Sequence, residues 1–235
     1  MRIGIVAVLM CAATPARAGR TLFAWSYGTE VQPERGVELM SSLYEEDGEA
    51  RWWLGPLIGL TDRLELALPI ELSRETAADI ARGAVSSATT QLARYGAELR
   101  YRLVSPDPAP AFVPLVRVAL YRVLDARDTV NPEADLVVAY NAGALQLLVD
   151  LGGAAELGAQ HEWEARPGAG ASLRVTSEVR VGIEAHAELP TDGRRWAVVG
   201  PDLAWAHGRF WLAATYGIGV FGVDRAPRVQ WGIAF

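Results

Sequence analysis

Residues 228–235 read RVQWGIAF. In an extended chain Val229, Trp231, Ile233 and Phe235 fall on one face. Arg228, Gln230, Gly232 and Ala234 fall on the other. That period of two marks a β-strand with one apolar side. Chain ends usually fray, because nothing rewards ordering them. A terminal strand of this kind needs a cover for its apolar face and a partner for its backbone.

The rest of the sequence repeats the pattern. Turn signals mark off about twelve strands, at 35–46, 49–60, 64–73, 91–103, 111–123, 134–140, 144–160, 168–176, 178–189, 195–206, 209–222 and the terminal one. The stretch 64–73, LELALPIELS, alternates most cleanly, with Leu64, Leu66, Leu68, Ile70 and Leu72 on one side. Asp47-Gly48 is a strong hairpin turn. Short connections (TDR, SPDPAP, NAG, TSE, AHGR) alternate with longer, more charged ones around residues 47, 76–89, 124–133, 161–167, 190–194 and 223–226. Short turns at one end and long loops at the other describe an all-β, up-and-down antiparallel transmembrane barrel, with both termini on the short-turn side.

Composition sets the setting. Arg2 followed by an apolar run and the small residues Ala16 and Ala18 predicts a cleaved signal peptide at 1–18. Residues 19–34 then form a periplasmic N-terminal segment, read as a tether rather than a plug, and 35–235 the barrel. The signal peptide holds Cys11, the single cysteine, so disulfides, thiol catalysis and zinc–thiolate sites are excluded from the mature chain. Without Arg2 and Arg17 the chain keeps 20 arginines against 28 acids, a net charge of −8. An acidic exported chain without a basic run has no nucleic-acid partner. Its expected partners are outer-membrane lipid and, if the lumen is open, a small solute. The expected location is the cell outer membrane.

Alternation alone does not say which face points inward. Three features do. The polar face carries Glu38, Arg51, Glu65, Glu71, Arg94, Glu98, Arg100, Arg102, Arg117, Asp150, Glu156, Arg174, Arg180, Glu184, Glu188 and Asp202, with nearly balanced sign. A narrow lumen needs that balance, because an unpaired charge there has little water around it. The opposite face is too apolar to stand in water but suits lipid. Aromatics gather at strand ends: Tyr44, Trp52, Trp53, Tyr121, Trp163, Trp196 and Phe221 toward the long loops, and Tyr101, Phe112, Tyr140, Trp205, Phe210, Trp211 and Phe235 toward the short turns. They read as two interfacial girdles. Pro56, Pro69, Pro114 and Pro201 fall inside strands, where bulges are expected.

Two resemblances follow. A last strand ending in Phe235, with Trp231 before it, resembles the C-terminal signature of Gram-negative outer-membrane proteins, which implies recognition by the barrel-assembly machinery. GPLIGLTDRLELALPIEL (55–72), GAGASLRVTSEVRVGIEAHAEL (168–189) and GPDLAW (200–205) resemble a broad group of uncharacterised proteobacterial outer-membrane barrels. That likeness covers most of the mature chain and implies architecture, without catalytic residues to carry over.

Chemistry is sparse. His161 and His207 lie at opposite ends, and Met40 is the mature chain's methionine, so no metal site and no cofactor are expected. No Gly-x-Ser-x-Gly motif occurs, and Ser172 near His186 is the one pair worth testing for hydrolysis. The sequence points away from an enzyme. What stands out is the lumenal cluster Glu65, Glu71, Arg94, Glu98, Arg100, Arg102, Arg117, Arg180, Glu184, His186 and Glu188. Two expectations stay open. In one, these charges line a narrow channel or transporter for small solutes. In the other, Arg–Glu pairs close the lumen of a structural or interaction barrel.

Overall fold

The computed structural model describes residues 22–46, 49–75, 90–124, 128–158 and 161–235. The expected signal peptide at 1–18, residues 19–21, and the turn and loop expected at 47–48 and 76–89 lie outside them.

The described strands are β1 (Val37–Glu46), β2 (Glu49–Thr61), β3 (Leu64–Ala67), β4 (Ile70–Glu75), β5 (Thr90–Arg102), β6 (Phe112–Val123), β7 (Val130–Ala142), β8 (Leu145–Leu157), β9 (His161–Arg174), β10 (Val179–Pro190), β11 (Trp196–His207), β12 (Phe210–Phe221) and β13 (Arg225–Ala234). Each pairs antiparallel with its chain neighbour, except that β3 and β4 both pair with β2 and with β5. They are two halves of one strand, interrupted at Leu68-Pro69. The barrel therefore has twelve strands. β1 also pairs with β13, from Glu38 opposite Ala234 to Tyr44 opposite Arg228, and the Phe235 N–H donates to the Val37 carbonyl at 2.8 Å. This closure leaves no edge facing hydrocarbon, which is what the apolar C-terminal strand required.

The faces divide as the alternation dictates. Leu39, Leu43, Leu147, Val149, Leu151, Ile183, Ile218 and Phe235 point outward, whereas Glu38, Glu65, Glu98, Arg117 and Glu184 are buried inside. No described helix is long and apolar enough to cross a membrane. Outward strand residues supply the apolar surface instead.

Three sequence expectations are corrected here. The loop expected at 161–167 is strand, since β9 begins at His161, and the one expected at 124–133 is already strand from Val130, where β7 begins. Period two continues through both stretches, sending Trp163 out and Glu133 in. Not every aromatic joins a girdle. Trp52, Trp163, Trp205 and Phe235 are exposed and Phe210 partly so, but Trp53, Trp196, Trp211 and Tyr121 are buried inside, and Tyr44 meets Trp25 within the lumen. Trp52 and Trp53 are adjacent, so the pleat sends them to opposite faces. Finally, only some of the strand prolines disturb pairing. Pro69 splits its strand, and the β11–β12 ladder skips Pro201 after a register shift at Ala197/Val198. Pro56 keeps register with β1 and Pro114 with β7.

Candidate functional site: a charged lumen and the strap inside it

The inner face splits into two walls. Along β3–β7 and β9, arginines and carboxylates form one continuous network. Arg94 donates to Glu71 through Nε (3.0 Å) and Nη2 (2.9 Å), and to Glu133 through Nη1 (2.7 Å). Arg117 donates to Glu98 (3.0 Å), Glu133 (2.8 Å) and Asp135 (2.6 Å). Arg100 reaches Glu98 at 3.1 Å and Glu65 at 3.4 Å. Arg166 reaches Glu133 at 3.1 Å and Glu164 at 2.8 Å. The Tyr121 hydroxyl donates to Glu98. Each guanidinium offers five donors in a planar fork, and two or more carboxylates fill it. These contacts join strands that are neighbours or one apart; they line a wall and do not cross the lumen.

What crosses the lumen is residues 22–36. The tether expectation fails here, because this segment is a strap threaded into the barrel. Pro33, Glu34 and Arg35 are exposed at the short-turn mouth, where the Arg35 N–H donates to the Gly59 carbonyl. Farther in, Gln32 donates from its backbone to Glu65 (2.7 Å) and from its side chain to Glu38 (2.8 Å). The Tyr27 N–H meets Asp150 at 3.0 Å. At the bend, the Ala24, Trp25 and Ser26 N–H groups all point at the Glu184 carboxylate, at 3.0, 3.0 and 2.6 Å. Gln230 donates to the Ala24 carbonyl, and Trp25 Nε1 to the Ala226 carbonyl at 3.3 Å.

Two aromatic side chains lock the bend. Phe23 packs on Leu115, Val137 and Leu148, which face the lumen although apolar. A Cβ on Gly170 would overlap the Phe23 ring, so this position admits the ring only as glycine. Trp25 stacks on His186 with centroids 4.9 Å apart and packs edge-on to Trp196 and Tyr44. Arg228 lies over both Trp25 (4.9 Å) and Tyr44 (5.1 Å). Tyr27 lies beneath Arg117, 4.1 Å from ring centre to guanidinium carbon. Above the bend, toward the long-loop ends, an open vestibule remains, with Trp25 and Tyr27 in its lining beside Arg51, Arg94, Arg166 and Glu188.

Of the cluster read from sequence, the network unites Glu65, Glu71, Arg94, Glu98, Arg100 and Arg117. Glu184 stands on the other wall, holding the strap. His186 faces Glu188 at 3.9 Å. Arg180 binds Ser172 and the Ala144 carbonyl near the short-turn mouth, and Arg102 is half-buried on the same side. The sequence reading missed Glu133, Asp135, Arg166 and the strap. Asp135 lay within the strand read at 134–140, and extending that alternation back by one residue would have found Glu133. Ser172 and His186 do not form a catalytic pair. Ser172 Oγ is 3.1 Å from Arg180 Nε, and the register sets His186 four residues farther along β10, roughly 13 Å away. Among the described residues no cluster of three metal-binding side chains occurs.

Comparison with solved structures fits this geometry. The KdgM porin in complex with disordered oligogalacturonate matches with a TM-score of 0.56 at 10% identity, over 84% of this chain and 98% of that one. The chain shares the fold of Gram-negative outer-membrane β-barrels. The NanC porin matches at 0.56 with 6% identity, over 85% of this barrel and 98% of its own chain. The COG4313 outer membrane channel from Pseudomonas putida F1 matches at 0.56 with 13% identity, over 88% and 98%. No family model matches this barrel's sequence, and no curated protein matches it.

Proposed function

We propose that the protein is a narrow outer-membrane channel for small solutes, closed in this conformation by its own N-terminal strap. The observation that carries this reading is how the lumen is closed. The barrel wall is complete without the strap, since every strand pairs with two others and β1 pairs with β13. Beyond the backbone pairing of Arg35 and Gly36 with Gly59 at the mouth, the strap is fixed by side-chain hydrogen bonds and two aromatic anchors. Such contacts can be released without breaking the barrel. A polar inner face behind the strap suits water and hydrophilic solutes. The named porins and channel of like fold support the same reading.

The second reading is a structural barrel that never opens. The wall network of Arg94, Arg117 and their carboxylates favours it, because those pairs occupy lumen volume. Planar-bilayer recording separates the two. The mature protein is expected to be nearly silent. The same chain with Phe23→Ala and Trp25→Ala, correctly folded by its heat-modifiable migration, is expected to give steady conductance steps. Silence in both would favour the structural barrel.

A further inference from the structure

We infer that the lumen, once the strap has left it, passes small cations in preference to anions; this rests on the channel reading above. The arginine-rich wall is what the sequence draws attention to, yet it is electrically spent. Each of its four central arginines is matched by at least two carboxylates within 3.4 Å. The adjoining stretch of wall from β8 to β11 differs. Asp150 on β8, Glu184 on β10 and Asp202 on β11 are all buried, and among the described residues none of them forms an ion pair with an arginine.

Their partners are neutral donors. Glu184 is held by the three strap N–H groups and by Thr215 Oγ1 at 2.7 Å. Asp150 is held by the Tyr27 N–H. Asp202 shares the same Thr215 hydroxyl at 3.0 Å. A hydroxyl has one proton, so it cannot donate to both carboxylates at once. In addition, Asp150 Oδ1 and Asp202 Oδ2 are buried without any hydrogen-bond partner. Acceptors left empty in a buried site point to a missing donor or cation.

The register lines these groups up. Asp202 lies opposite Gly182, Glu184 is two residues on and lies opposite Gly170, and Gly168, two further, lies opposite Asp150. The three carboxylates thus climb the middle of the wall as a ladder roughly 14 Å long, at about 3.4 Å per residue. Arg180 and Arg228 stand nearer the two mouths, bound to neutral partners. When the strap leaves, Glu184 and Asp150 lose four N–H donors. Charged rings and ladders at a constriction set the sign of the ion that passes. A solute carrying N–H donors and positive charge, such as a small amine, replaces what the strap provided.

The test uses the full mature chain with Phe23→Ala and Trp25→Ala in a planar bilayer, under a tenfold KCl gradient. The expected reversal potential corresponds to K+ permeating several-fold more readily than Cl−. Adding Asp150→Asn, Glu184→Gln and Asp202→Asn is expected to bring the ratio close to one. A Cl−-selective or non-selective conductance that these substitutions leave unchanged overturns the selectivity while leaving the channel standing. A folded, inserted protein that does not conduct overturns the channel reading itself. If the strap variant fails to insert, Gly170→Val, which denies Phe23 its seat from the wall side, gives the same readout.

Discussion

Arg117 shows how much a single lumen residue holds. It is 1% exposed and donates to Glu98, Glu133 and Asp135. Replacing it with alanine leaves three buried carboxylates without their common cation. Breaking a buried pair from one side costs about 3–5 kcal/mol, so Arg117→Ala is expected to lower the denaturant midpoint of the refolded barrel sharply. Arg117→Lys recovers only part of the loss, because an ammonium cannot fill three directions of the planar fork. Smaller electrostatics belong to the turns. His207 Nδ1 lies 2.8 Å from Glu178 in the short turn before β10, and this hydrogen bond holds the Glu178 carboxyl below its ordinary range. The bond's contribution is present above the unfolded carboxylate pKa of about 4.3. It is lost as pH falls through the lower, folded value. A carboxyl titration followed by NMR is expected to move back up in His207→Ala; an unmoved midpoint would mean the contact is not made. At this scale the sequence was a good guide to which charges face inward. It could not say which arginine meets which carboxylate, because that depends on cross-strand register and on side chains two strands apart.

The strap and the strands were unequally legible. Strands announced themselves through strict alternation, and the turns between them through Asp-Gly, Pro and short polar runs. The strap has no period. Residues 22–34, LFAWSYGTEVQPE, read as an irregular lead-in, and its partners lie between 6 and 206 residues away in sequence. One trace of it was visible: GAGA at 168–171 alternates small residues on both faces where a filled lumen would call for larger ones inside. Gly168 and Gly170 are the seats of Ser26 and Phe23. Trp25 and Phe23 carry much of the strap's apolar burial, and large-to-small changes at buried aromatics cost about 3–5 kcal/mol each. A loss of that size moves a seated strap by a factor of a few hundred or more toward release, which is why the double alanine variant is the one expected to conduct. The aromatic girdles were legible by half. End position in a strand identifies an interfacial aromatic only when its pleat face is also outward, and Trp53, Trp196 and Trp211 failed that second condition.

For the whole molecule, closure and filling are separate problems solved by different parts of the chain. Lipid-facing leucines and valines, together with the β1–β13 seam, make a barrel that exposes no backbone edge. An Arg–carboxylate wall, a carboxylate ladder and a peptide strap fill its interior. Fold class, strand number, the start of the first strand and the end of the last at the short-turn mouth, and the direction of the faces all followed from period two and turn chemistry. The occupant of the lumen did not, because nothing in a local pattern reports a contact across a barrel. The central claim is therefore the seat of the strap, and the absence of any cysteine after Cys11 makes it directly testable. A Cβ built on Gly168 lies 3.5 Å from the Ser26 Cβ, within the range a disulfide spans. Ser26→Cys with Gly168→Cys, oxidised in the refolded, membrane-inserted protein, is expected to form one intramolecular disulfide nearly completely, seen as a reductant-sensitive gel shift. A pair that stays reduced in the folded barrel would contradict the account, and would place the strap outside the lumen.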